Sequence, residues 1–362
     1  MIKIMKKISS SSSTTIMMAL SFSIIIILII VNSVIASRTC PRGCDCIETL
    51  LITNCSVSSQ LEYVPHTLNP SLKKLYLPRN NIRRIDTAFD VYKNLIYLDL
   101  SSNLITTIVN NNFQYNSELQ TILLKNNSLF MLEPKAFNGL NLLKILDLSF
   151  NRIEMINGSI FKNLNSLQIL DLSFNLLKIL NENTFVGLRN LINLNISNNL
   201  IMKLSTNLFS NIPKLINLNI SMNQLEHLDD NWFIALYDLT VLDLSSCHLS
   251  SLSSYCFNGL NNLTILNLNN NSLMVSILLK LLIIKHVYSF FFLYSGYTIG
   301  IIFTKKCHTS IEYWQQSISI YSSKIILSFK TFKTNLSNQC IFVSCKYICL
   351  TFELMIIIFF KN

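Results

Sequence analysis

The stretch Leu143-Lys144-Ile145-Leu146-Asp147-Leu148-Ser149-Phe150-Asn151-Arg152-Ile153 has leucine at its first, fourth and sixth positions and asparagine at its ninth. It returns 24 residues later as Leu167-Gln168-Ile169-Leu170-Asp171-Leu172-Ser173-Phe174-Asn175-Leu176-Leu177. The first leucine of the pattern falls at Leu72, Leu95, Leu119, Leu143, Leu167, Leu191, Leu215, Leu239 and Leu263, one interval being 23 residues and the others 24. A fixed period of this length, kept through nine copies, marks a chain built from stacked supersecondary units.

Side chains alternate across an extended strand, so the leucines at positions four and six share one face while positions three and five face solvent. The second half of each unit offers an apolar residue at position 14, a Phe near 19 and Leu near 22, as in Ile156, Phe161 and Leu164 or Leu180, Phe185 and Leu188. That half is too short for a long helix and is expected to be irregular or 3₁₀. One unit cannot bury its leucines alone, but stacking makes a continuous core. Nine parallel strands at about 4.8 Å spacing predict a curved sheet on the order of 40 Å long.

The ninth-position row is Asn80, Asn103, Asn127, Asn151, Asn175, Asn199, Asn223 and Asn271. A carboxamide there can donate to and accept from loop backbone that would otherwise be buried unpaired, a structural role. Cys247 replaces Asn in the eighth repeat, and Cys256 fills a small-residue slot. Two buried thiols acting as small hydrophobes are expected, with a bridge within the repeat as the alternative.

Ahead of the repeats stand Cys40-Pro41-Arg42-Gly43-Cys44-Asp45-Cys46 and, after eight intervening residues, Cys55. Spacing alone allows three pairings, and zinc is the other reading of four cysteines, though no His is nearby. Repeats and cysteines together resemble the typical-class extracellular leucine-rich-repeat family, and Leu61, Val64, Pro65 and Leu68 match its usual run into the first repeat. The resemblance covers residues 40–273. It implies a leucine-rich-repeat solenoid, a horseshoe with a parallel β-sheet on the concave side and an irregular or 3₁₀ convex side. It further implies an N-terminal cap with bridges Cys40–Cys46 and Cys44–Cys55. Relatives such as Toll-type receptors, adhesion and guidance proteins and matrix proteoglycans use this scaffold to bind proteins or other large ligands, so the fold leaves the partner open.

The ends are read separately. Lys3, Lys6 and Lys7, the apolar run from Ile16 to Val31 and the small-residue site Val34-Ile35-Ala36 predict a signal peptide over residues 1–36, an uncleaved signal anchor being the alternative. The cap then spans 37–71 and the nine repeats 72–273. The chain carries +10 overall, but residues 37–274 hold 17 basic and 17 acidic side chains, and residues 275–362 hold nine and two. The repeats therefore give no sign of a nucleic-acid partner. After Leu273 the period stops, and the family's C-terminal cap with its Asn-Pro-Trp does not follow. Residues 274–362 form a hydrophobic, basic tail whose composition resembles a translation of A/T-rich non-coding sequence. A membrane anchor at Val287–Phe303 is the other reading. The ninth strand is expected to end on an open edge.

The solvent-facing strand positions converge on the concave side, which is the expected binding face. Its candidate ligand-binding residues are Lys73, Tyr76, Arg79, Tyr97 and Asp99, together with Asp147 and Asp171, whose stacking should create repulsion that a basic ligand or cation relieves. A solvated charged face is the blander alternative. Glycosylation sequons occur at Asn54, Asn126, Asn157, Asn195, Asn219, Asn262, Asn270 and Asn335. No catalytic constellation, metal site or cofactor motif stands out, and His66, His227 and His248 are scattered. The expected role is a non-enzymatic extracellular or cell-surface recognition scaffold, of receptor or adhesion type, for a protein or other macromolecule. Membrane association would come through the C-terminal segment. A secreted structural matrix protein is the second reading.

Overall fold

The computed structural model describes residues 40–56 and 60–273, with the backbone of Ser289–Ser295, Thr298–Phe303 and Cys340–Ser344. The expected signal peptide, most of the tail and Asn335 lie outside the described residues. Each repeat contributes a three-residue strand at its third to fifth positions, from Lys74–Tyr76 through Ile145–Asp147 and Ile169–Asp171 to Ile265–Asn267. The strands pair in parallel and in register, so that Leu146, Leu170, Leu194 and Leu218 stand side by side. All four leucines are buried. Each such leucine contributes about 2 kcal/mol of gross apolar burial, before the entropy of ordering the chain is set against it.

Behind the leucine rows runs a row of phenylalanines, buried except for the half-buried Phe257 at its end. Phe185, Phe209, Phe233 and Phe257 stack from repeat to repeat with ring centroids 5.8–6.4 Å apart. Some units bring their backbones so close that only glycine fits. Gly187 has φ of 99°, and a Cβ there would lie 2.3 Å from the Lys162 carbonyl oxygen.

The asparagine row has the structural role expected of it. Asn175 Nδ2 donates to the carbonyls of Leu148 and Leu172, both at 3.0 Å, and its Oδ1 accepts from the Ile153 N–H at 3.0 Å. The residue before each Asn, from Arg79 to Asn270, has φ between 52° and 58°, the left-handed turn that aims the carboxamide inward. Cys247 and Cys256 are free and buried, as the sequence suggests. Cys247 has no side-chain carbonyl with which to accept the Leu225 N–H, and its backbone carbonyl accepts from the Glu226 N–H. Its Sγ instead faces the Ile220 carbonyl at 3.4 Å, and two further residues, Glu226 and His248, turn left-handed around it. Asn271 Oδ1 then accepts from both the Cys247 and Leu249 N–H groups.

The convex side is irregular, with turns such as Leu164 N–H to Phe161 O, and no helix forms there among the described residues. The sequence pattern missed short flank strands at positions 13 and 14, among them Met131–Leu132, Ile179–Leu180, Lys203–Leu204, His227–Leu228 and Ser251–Leu252. At the N-terminal end Asp45–Ile47 and Ile52–Asn54 form an antiparallel hairpin whose second strand pairs in parallel with Lys74–Tyr76. Disulfides Cys40–Cys46 and Cys44–Cys55 close this cap, which is the pairing the family resemblance implies and leaves no thiolates for zinc.

At the other end the expected open edge is covered. Thr298–Phe303 pairs antiparallel with Ile265–Asn267 through Asn267 and Ile302, and Ser289–Ser295 and Cys340–Ser344 extend the sheet. These tail segments are rich in β-branched and aromatic residues, and the ninth strand offers them unpaired backbone groups. No helix among the described residues is long and apolar enough to cross a membrane.

Candidate recognition face

The concave sheet presents positions three and five of every repeat. At its N-terminal end Tyr76 and Tyr97 lie on adjacent strands with ring centroids 4.9 Å apart and planes tilted by 36°. The register sets Lys74 beside Tyr97 and Tyr76 beside Asp99. Lys73, Lys74 and Arg79 are exposed in the same repeat as Tyr76, Arg79 in the left-handed turn that follows the strand. Burial raises the Tyr97 pKa, and the nearby Asp99 carboxylate and Tyr76 add to the rise. The Tyr97 hydroxyl therefore stays protonated well above neutral pH and can donate a hydrogen bond.

Asp147 and Asp171 also stand side by side in the sheet. Each uses Oδ1 locally, accepting from the backbone N–H and the hydroxyl of the serine two residues on, Ser149 at 2.9 and 2.6 Å and Ser173 at 2.8 and 2.6 Å. Asp171 Oδ2 also accepts from Asn195 Nδ2 at 3.3 Å. Both carboxylates thus hold the turn that follows their strand, and Asp171 is further tied to its ladder neighbour Asn195.

Beyond them lies a shallow depression of about 290 Å³ between Ile169 and Val241. Leucines and amides line it together: Leu170, Leu194 and Leu218 are among its lining residues, Asn217 Nδ2 donates to Asn193 Oδ1 at 2.5 Å, and Asn195 and Asn219 stand side by side. Asp171 and Asp243 bound it on either side, and Asp243 Oδ2 accepts from Asn267 Nδ2 at 3.0 Å. Of these, Asn193, Asn217 and Val241 were not singled out from sequence; their signal is occupancy of the third position. The sequons divide by exposure. Asn54, Asn126, Asn157, Asn262 and Asn270 are exposed, while Asn195 and Asn219 are half-buried within the concave strands.

One constellation that seemed scattered in sequence is assembled. His227 Nδ1 lies 2.6 Å from Ser251 Oγ, and its Nε2 lies 3.2 Å from Ser253 Oγ and 3.5 Å from Asp229 Oδ1. The group belongs to the flank strands, where it ties the seventh repeat to the eighth beside the Cys247 irregularity. Among the described residues no group of three or more His, Cys, Asp and Glu side chains could hold a metal ion.

The Leucine rich repeat family profile matches residues 70–129, 117–177, 141–201, 189–249 and 213–273, overlapping segments that together span more than half of the chain. The chain belongs to the leucine-rich repeat family. Over 80 residues this leucine-rich repeat protein is 38% identical to the human leucine-rich repeat-containing protein 66, an alignment that covers 22% of the chain and 9% of that relative. Among solved structures it is similar to the crystal structure of the TLR13–ssRNA13 complex. The likeness has a TM-score of 0.52 and 28% identity, over 58% of this chain and 34% of that one. The chain spans well under two thirds of either relative.

Proposed function

We propose that this leucine-rich repeat protein is an extracellular or cell-surface recognition scaffold of receptor or adhesion type. It binds a protein or other large ligand on its concave face and works by binding rather than catalysis. The observation that carries this reading is the Tyr76–Tyr97 pair, half-exposed on the first two strands, with Lys73, Lys74 and Arg79 exposed in the same repeat as Tyr76. Tyrosine and arginine are, with tryptophan, the side chains enriched where binding energy concentrates, and tyrosine buries much area for little lost entropy. Two disulfides in the cap suit an oxidising compartment.

The TLR13 structure is a complex with single-stranded RNA, so the fold itself gives no ground for ruling out nucleic acid. The balanced charge of the repeats favours a protein, and salt separates the two: a nucleic-acid ligand would be lost steeply as salt rises. The test is to probe the full chain, secreted from eukaryotic cells, against arrayed ectodomains and secreted proteins. Affinity for the partner found should fall at least tenfold in Tyr76→Ala and Tyr97→Ala, about 1.4 kcal/mol, and stay unchanged in the convex-side variant Asn183→Ala. Equal affinity in all three variants would contradict the assignment.

A further inference from the structure

On the flank of repeats three to six, positions 12 and 13 hold five exposed apolar side chains interrupted by Glu154, Lys178 and Lys203. Met131, Met155 and Ile179 occupy position 13 of three successive repeats and are 43%, 64% and 74% exposed. Met155 and Ile179 are bridged in parallel, and Ile179 pairs with Lys203 in the next repeat. At position 12 Phe130 and Met202 stand at the two ends of the row, 53% and 63% exposed, and Glu154 and Lys178 stand between them. Glu154 Oε2 and Lys178 Nζ are 3.9 Å apart, both side chains being mostly in solvent.

Position 12 is self-complementary about the boundary between the fourth and fifth repeats, and at position 13 Met155 and Ile179 exchange places across it while Met131 falls opposite Lys203. We propose that the flank of repeats three to six is a self-association surface that seats a second copy of this chain, the two related by a two-fold axis at that boundary. A two-fold contact is isologous, so whatever residue i meets on the partner, its own counterpart meets in return. Such an axis lays Met155 on the partner's position 179 and Phe130 on its position 202. It also sets each Glu154 against the other copy's residue 178, an acid against a base, twice. The apolar interior of a bilayer offers a counter-charge to neither Glu154 nor Lys178, whereas a second copy offers one to each. Apolar patches of several hundred Å² are uncommon on monomers without a partner. The contact involves only positions 12 and 13 of four repeats, a small footprint for a specific interface, so the dimer is weak and concentration-dependent.

The test is sedimentation velocity on the full chain after enzymatic removal of N-linked glycans, because the Asn157 sequon is exposed two residues beyond Met155. The wild type is expected to form a reversible two-copy species. Glu154→Lys alone and Lys178→Glu alone should each weaken it at least tenfold, since each sets like charges across the axis. An equimolar mixture of these two variants should recover a mixed dimer, because every cross-axis pair is then opposite in sign; a salt bridge confined to one chain would give no such recovery. Ile179→Asp should stay monomeric alone and in every mixture. A wild type that is monomeric at all concentrations, or a mixture that fails to recover, overturns the proposal. So does wild-type binding to phosphatidylcholine vesicles that Ile179→Asp abolishes, which would assign the patch to lipid.

Discussion

Asn175 is tied to the repeat before its own: its Oδ1 accepts the backbone N–H of Ile153 at 3.0 Å, while its Nδ2 reaches back to the Leu148 carbonyl. One carboxamide therefore satisfies backbone groups in two successive turns. Asn175→Ala leaves these groups buried without partners and should lower stability by about 2 kcal/mol. Asn183, exposed on the convex side, is the control, and Asn183→Ala should change the melting temperature little. Thermal melts of both variants check this; equal losses would mean that the inter-repeat register is wrong.

Gly187 gives a second contrast. Its left-handed backbone and the Lys162 carbonyl 2.3 Å from any Cβ mean that Gly187→Ala must force two repeats apart. A loss of roughly 2 kcal/mol or more is expected. Gly158, where a Cβ would meet only the Asn183 side chain at 3.3 Å, should accept alanine with a much smaller loss. Denaturant midpoints of the two variants decide it.

The buried thiols make stability fall in alkali. Burial pushes Cys247 and Cys256 from 9.0 up to about 12. Between these values the unfolded chain releases thiol protons that the folded chain holds. The stabilisation is complete below pH 9 and is lost as pH rises towards 12. Cys247→Asn should flatten part of this decline. It should also add about 1 kcal/mol at neutral pH by restoring an acceptor for the Leu225 N–H. Denaturation midpoints of wild type and variant across that pH range measure both effects.

What could be read from the sequence is whatever repeats every 24 residues. Leu146 and Leu170, Phe161 and Phe185, and Asn151 and Asn175 recur because each must match its copy in the next repeat. The strands, the core and the amide row follow from that requirement. Residues that the period leaves free were not legible in the same way. Met155 and Ile179 sit where any side chain fits, so their exposed apolar row emerged only once the flank strands were in place. His227 and Ser251 are likewise 24 residues apart, yet a single His carries no periodic signal, and their 2.6 Å contact needed the fold. At the candidate site, Tyr76 and Tyr97 could be placed on one face from sequence, but their tilted contact depends on ring orientation. Asp147 and Asp171 could be placed side by side from the period, while the local turns that Ser149 and Ser173 make with each Oδ1 depend on side-chain geometry.

Glycan occupancy should follow exposure and spacing. Asn195 and Asn219 are in-register neighbours about 5 Å apart on half-buried strands, too close for two bulky glycans. At most one of them should be fully modified, whereas Asn126, Asn157, Asn262 and Asn270 are open to solvent. Glycopeptide mass spectrometry of the secreted chain reads all six sites. Full occupancy of both concave sites would mean that the middle of this face is sealed by sugar.

Recognition on the first concave strands is tested most directly by hydrogen–deuterium exchange of the full chain with and without the partner found in the ectodomain array. Protection is expected in the peptides that contain Lys74–Tyr76 and Tyr97–Asp99, with the convex turns around Asn183 unchanged. Protection confined to the convex turns or to the flank, with these two strands exchanging as in the free protein, would contradict the assignment.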